Sequence, residues 1–166
     1  MVGKVYFLAD KRVHEVSSQD FQAICELHLG EEPGSYLVIA EGDLRSAEGS
    51  SGSMDFGIRL EVLSKSSMLI GTDEVRFNLD GVDSTLVITS PAGTLFRHGI
   101  LSRHISLMAA AKVPAEGGGG PPPRAILSAR GRRPPGGLLE NVRIAAFPAD
   151  EIVGVTIQGG AGSFSG

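Results

Sequence analysis

Apolar and polar residues alternate with a period of two along most of the chain. The cleanest stretch is Asp55 to Leu63, where Phe56, Ile58, Leu60 and Val62 fall on one side and Asp55, Arg59 and Glu61 on the other. Successive side chains of an extended strand point to opposite faces, so this pattern predicts a strand with one face on a core. The same reading applies from Phe21 to Leu29, with Ala23, Cys25, Leu27 and Leu29 on one face and Gln22, Glu26 and His28 on the other. It applies from Ser35 to Leu44 through Tyr36, Val38 and Ala40, and from Glu74 to Asp80 through Val75, Phe77 and Leu79. Val5 to Ala9, Ser84 to Thr89, Ala125 to Arg130, Leu139 to Phe147 and Glu151 to Ile157 are further strands by composition. Arg103 to Ala111 places Ile105, Leu107, Ala109 and Ala111 on one side; its alanines also suit a helix, but the alternation favours a strand. Asp10 to Phe21 is the best stretch for a single helical turn.

About ten strands follow, and no amphipathic helix of ordinary length. That spacing predicts an all-β fold, an antiparallel β-sandwich of jelly-roll type. Turn signals stand between the strands: Pro33-Gly34, Asp80-Gly81 and Pro91-Ala92-Gly93, with a flexible loop at Gly49–Ser53. Two Gly/Pro-rich loops are read as insertions at 114–123 and 131–137, with Arg124 just after the first and Arg132 and Arg133 in the second. The residues beyond them are too few to bury a core alone, so we expect one domain over 1–158 and a glycine-rich C-terminal tail over 159–166.

Composition adds little to this picture but limits it. With 23 Gly and 9 Pro, the 166-residue chain is rich in turn formers, and it has seven Phe, two Tyr and no Trp. An apolar, aromatic ligand pocket is poorly served by so few aromatics. The net charge of −4 argues against a surface given over to nucleic acid, although residues 1–97 carry −7 and residues 98–166 carry +3. The run Val5 to Ala9 is too short for a signal peptide core or a membrane span, so synthesis in a cytoplasm is expected.

Recognisable chemistry is missing. The sequence holds no G-x-S-x-G, no P-loop and no G-x-G-x-x-G between strand and helix. The Gly117–Gly120 run leads into prolines, which lack the N–H groups that a phosphate cradle needs. His98 and His104 stand six apart with no cysteine or carboxylate between them, which is not a zinc spacing. Asp80 and Asp83 offer too few oxygens for calcium and read as a turn. The single cysteine, Cys25, sits on an inward face and reads as a small buried hydrophobe. No catalytic residue, metal or cofactor is therefore expected. Arg124, Arg130, Arg132 and Arg133 gather around the second loop and are the candidates for contact with a partner protein, since guanidinium groups pair with carboxylates. Nucleic-acid binding is disfavoured by the absence of stacking aromatics beside them.

Four stretches together resemble small bacterial and phage surface proteins with a tumour-necrosis-factor/C1q-like jelly roll. They are Pro33-Gly34-Ser35-Tyr36-Leu37-Val38-Ile39-Ala40; Phe56-Gly57-Ile58-Arg59-Leu60 followed by Asp73 to Leu79; Thr85-Leu86-Val87-Ile88 with Ile105-Ser106-Leu107; and Leu139-Glu140-Asn141-Val142-Arg143-Ile144-Ala145-Ala146-Phe147. The likeness covers residues 21–153, and the Gly/Pro/Arg insertion over 114–137 departs from it. It implies a homotrimer whose apolar flanks pack around a three-fold axis, with a role in adhesion, decoration or attachment and no catalysis. The expectation is thus a non-enzymatic structural or interaction module of a larger assembly, such as a phage particle (hence a virion location), a tail apparatus or a cell surface. Its rivals are a carbohydrate- or small-ligand-binding sandwich and a cupin-like metal enzyme built on His98 and His104.

Overall fold

The alternating segments form strands because each pairs its backbone with a neighbour while burying one row of side chains. In the computed structural model, residues 4–46, 53–80, 85–90, 93–98, 102–131 and 137–149 are described. They form eleven strands: β1 (Tyr6–Asp10), β2 (His14–Val16), β3 (Gln22–His28), β4 (Gly34–Ser46), β5 (Ser53–Leu63), β6 (Leu69–Asp80), β7 (Thr85–Ser90), β8 (Gly93–His98), β9 (Ser102–Val113), β10 (Arg124–Gly131) and β11 (Gly137–Pro148). There is no helix among the described residues, and hence none long and apolar enough to cross a membrane. The stretch from Asp10 to Phe21 corrects the expected helical turn. Its middle is β2, paired with Gly137–Leu139 of β11, and the Asp10 carboxylate accepts a bond from the Arg12 N–H at 2.9 Å. The expected strand Glu151–Ile157 lies outside the described residues.

One sheet has the order β1-β11-β4-β9, with β2 also on β11; the other runs β3-β10-β5-β6-β7-β8. All pairings are antiparallel. Treat the broken pair β1/β2 as one strand and β7–β8 as an added hairpin. The strands that remain then fold as one long antiparallel ribbon: β1 with β11, β3 with β10, β4 with β9 and β5 with β6. Rolling the ribbon brings β11 against β4 and β10 against β5 and closes the two sheets. That winding is the jelly roll.

The core lies between the sheets. Phe56, Ile58, Leu60 and Val62 of β5 and Leu127 of β10 face Val38, Leu107, Val142 and Ile144 of the opposite sheet, all nearly or fully buried. Burying a residue of this size contributes roughly 1.5–3 kcal/mol. Small residues let the sheets approach at one corner. A Cβ on Gly71 of β6 would meet the Ala110 carbonyl oxygen of β9 at 2.7 Å. Beside it, the Met108 N–H of β9 donates to Asp73 at 3.0 Å. The edge of β9 is thereby covered by β6, as sheet edges generally need to be.

Two bulges reset the alternation. In β11 the pairing with β4 shifts between Glu140 and Arg143, where Asn141 has φ 55°. Leu139 and Val142 consequently both point inward. In β3 the shift lies opposite Leu127/Ser128, leaving Ile24 as the extra residue. Ala23 is exposed for that reason, which corrects its placement on the inward face with Cys25 and Leu27.

Candidate interaction surface

The outer face of the β1-β11-β4-β9 sheet is divided into two unlike halves. Strand register builds the first. Phe7 stands opposite Ala145, Ala145 opposite Ile39, and Ile39 opposite Met108. In the next row Phe147 stands opposite Leu37, and Leu37 opposite Ala110. Phe7 is 62% exposed, Met108 42% and Phe147 40%, and Val5 beside them is also exposed. Each strand contributes because its sequence here is apolar on both faces: Tyr36 to Ala40, Leu107 to Ala111 and Ile144 to Phe147 are unbroken apolar runs, as is Val5 to Ala9.

The second half is a lattice of ion pairs. Arg143 reaches Glu41 at 3.2 Å, and Arg45 reaches Glu140 at 3.1 Å. Asp43 accepts from Asn141 at 2.9 Å and lies 2.8 Å from His104 Nδ1. The Asn141 bond, then the His104 bond, holds the Asp43 carboxyl below the usual carboxylate range. These charged and polar side chains pair with one another across the sheet.

A second feature stands at the end of the sandwich. The turn between β5 and β6 carries Ser67 at φ 64°, in the left-handed region that side chains seldom adopt. Ser67 N–H donates to the Ser64 carbonyl at 2.9 Å, and Ser64 N–H to the Met68 carbonyl at 2.8 Å. Glu116, in the expected loop 114–123, accepts from the Ser66 N–H at 2.9 Å and the Ser66 hydroxyl at 2.7 Å. Lys65 pairs with Glu31 at 3.2 Å.

The arginines chosen from sequence lie apart. Arg124 and Arg130 are near opposite ends of β10, six positions and so roughly 20 Å from each other. Arg124 donates to Ser67 Oγ at 3.0 Å and lies 3.6 Å from Glu26. The Arg130 guanidinium lies 5.5 Å from the centre of the Phe21 ring, which Arg59 covers at 3.8 Å. Arg132 and Arg133 lie outside the described residues. Cys25 is buried, as expected, and burial pushes its thiol up to about 12, far from a reactive thiolate. His98 and His104 belong to different sheets, and among the described residues no group of His, Cys, Asp and Glu is placed to hold a metal.

Phe7, Ile39, Met108 and Phe147 were not selected from sequence. The signal that marks them is loss of alternation: a strand apolar on both faces inside a two-layer fold has something left to cover.

No family model and no curated protein matches the chain. Among solved structures it is similar to the infectious bursal disease virus particle, with a TM-score of 0.47 and 9% identity over 88% of this chain and 31% of that one. For the Gx strain of the same virus the TM-score is 0.45, with 10% identity over 86% and 32%. A fructofuranosidase from Schwanniomyces occidentalis gives 0.41, with 12% identity over 84% and 32%. This chain spans about a third of the length of each. A viral particle and a fructofuranosidase thus stand at a similar distance and assign no function; the jelly roll rests on this chain's own strand pairing.

Proposed function

We propose that the protein is a non-enzymatic structural module that self-associates, as a homotrimer, within a larger assembly. The observation that carries this reading is the apolar half of the outer face: Phe7, Ile39, Met108 and Phe147 in register on neighbouring strands. Exposed rows of this kind, rimmed by charge, mark protein contacts. From strand and residue spacings the apolar area is on the order of 300 Å². A standard interface buries about 800 Å² per partner. The rows therefore suit the hydrophobic centre of an interface, with further contacts around it. The sequence resemblance to bacterial and phage surface proteins supports a place on a phage particle, tail apparatus or cell surface. Arg124, Arg130, Arg132 and Arg133 would then serve contacts to other proteins of that assembly.

Light scattering across a concentration range tests the reading. The wild-type chain is expected to show a trimer mass, and the Phe7→Ser/Met108→Ser double variant a monomer mass with unchanged circular dichroism. A wild-type chain that stays monomeric at every concentration and joins no particle would overturn it.

A further inference from the structure

We infer that the outer face of the β3-β10-β5-β6 sheet carries an oxyanion site: Arg59, Arg76 and Arg130, gathered about Phe21, take a carboxylate side chain from an acidic segment of a partner protein. This inference rests on the reading above that the chain contacts other proteins of an assembly, and not on the trimer. Strand register builds the site. Arg130 of β10 stands opposite Gly57 of β5, and Gly57 opposite Arg76 of β6. In the next row Arg59 stands opposite Glu74. Phe56 and Ile58 face the core, so these rows lie outside. The backbones of Arg130 and Arg76 are roughly 10 Å apart, two strand spacings, with a residue lacking a side chain between them.

Glycine at position 57 makes the room. A Cβ there would meet Arg130 Nε at 2.9 Å and Phe21 Cζ at 3.1 Å. Phe21, just ahead of β3, lies over the sheet, with the Arg59 guanidinium 3.8 Å from its ring centre and that of Arg130 5.5 Å away. A guanidinium held on an aromatic ring keeps its N–H edge free to donate. Glu74 uses part of what is offered: its two oxygens accept from Arg59 at 3.4 Å and from Arg76 at 3.2 Å. Among the described residues no carboxylate bonds the Arg130 guanidinium, which has only the ring. Asp55 and Glu61 stand one row out on either side; the two central rows hold three guanidiniums and one carboxylate.

Like charges drawn together around one ring repel one another, and an oxyanion among them relieves that repulsion. The positive edge of the ring favours the same occupant. The arginines stay within reach of a partner: the Arg76 side chain is 63% exposed and that of Arg59 31%. A planar carboxylate matches the guanidinium fork. A nucleic-acid strand fits less well, since it needs an open ring face for a base and a track of cations for its phosphates. Here Arg59 covers a face of Phe21. Arg124, the other arginine of β10, lies roughly 20 Å from Arg130 and is tied to Ser67 and Glu26.

Fluorescence anisotropy of a labelled hexaglutamate peptide, titrated with the full chain at low ionic strength, tests the site. Wild type should bind the peptide. Arg130→Gln should weaken binding roughly tenfold or more, through loss of a charge-assisted bond. Phe21→Leu changes no charge but releases the guanidiniums, and should weaken binding about threefold or more. Arg143→Gln removes the same charge from the other sheet, where Glu41 pairs with it, and should stay within about twofold of wild type. Far-ultraviolet circular dichroism checks that each variant is folded. Three results would each overturn the site: no binding by wild type, equal weakening by Arg143→Gln and Arg130→Gln, or tighter binding of a hexathymidylate than of hexaglutamate. Light scattering decides the trimer separately. A trimer that ignores the peptide overturns this site alone, whereas a monomer that binds it supports the site and overturns self-association.

Discussion

At the scale of single residues, the chain settles its few buried polar groups locally. Asp10 is the clearest case. It ends β1, is 9% exposed, and accepts bonds from the Arg12 guanidinium at 2.9 and 3.0 Å and from His14 Nε2 at 2.9 Å. The Arg12 side-chain bond is the main reason its carboxyl sits well below the usual range; burial opposes the shift without cancelling it. A carboxylate depressed in the folded state contributes stability that is present above its unfolded pKa of about 3.9 and is lost as the pH falls through the folded value. Arg12 is largely solvated, which keeps the contribution modest. Asp10→Asn should cost about 1–2 kcal/mol near pH 7, and the gap from wild type should narrow as the pH is lowered from about 5. Urea denaturation at several pH values measures it, and a gap that widens in acid would show the sign to be wrong.

At the scale of elements, the register of strands decides where the sheets touch. β6 begins with Leu69-Ile70-Gly71, a stretch without clean alternation, and it runs past the edge of β9. Glycine is needed there for space: the 2.7 Å approach to a backbone oxygen cannot be relieved by turning a side chain. Gly71→Ala should therefore destabilise the fold by about 1–3 kcal/mol, and the same substitution at Gly117, with nothing within 4 Å, should cost far less. Thermal unfolding of the two variants compares them directly; equal midpoints would mean that the corner is loose. The bulges at Asn141 and Ile24 belong to the same scale, since each moves a whole row of side chains from one face to the other.

At the scale of the whole molecule, the two sheets differ in what they leave outside. One carries an apolar half and an ion-paired half on its outer face. The self-association proposed above, centred on Phe7, Ile39, Met108 and Phe147, would draw on the hydrophobic effect, which salt does not screen, whereas contacts among exposed charges weaken as ionic strength rises. The trimer mass should therefore persist in about 1 M sodium chloride, where the Debye length is about 3 Å. Dissociation on adding salt, followed by light scattering, would assign the contact to the charged groups instead.

The sequence by itself determined the strands, because a period of two is a local property that needs no partner to be read. Asp55 to Leu63 is legible in this way, as are the inward residues Tyr36, Val38 and Leu107 and the buried Cys25. The number and spacing of such segments favour a jelly-roll-like sandwich, and the strand pairing decides the winding. The bulges were not legible, since the extra residue at Ile24 or Asn141 is defined only against the strand beside it. The short strand β2 was hidden too, because its three residues form a strand only where β11 supplies the pairing. The interaction surface shows the division most plainly. Four runs that are apolar on both faces are visible in the chain, but the paired ones at Phe7 and Ala145 lie well over a hundred residues apart. Only the order β1-β11-β4-β9 sets them side by side, because hydrogen bonding between distant strands, and no local preference, decides which outer faces become neighbours.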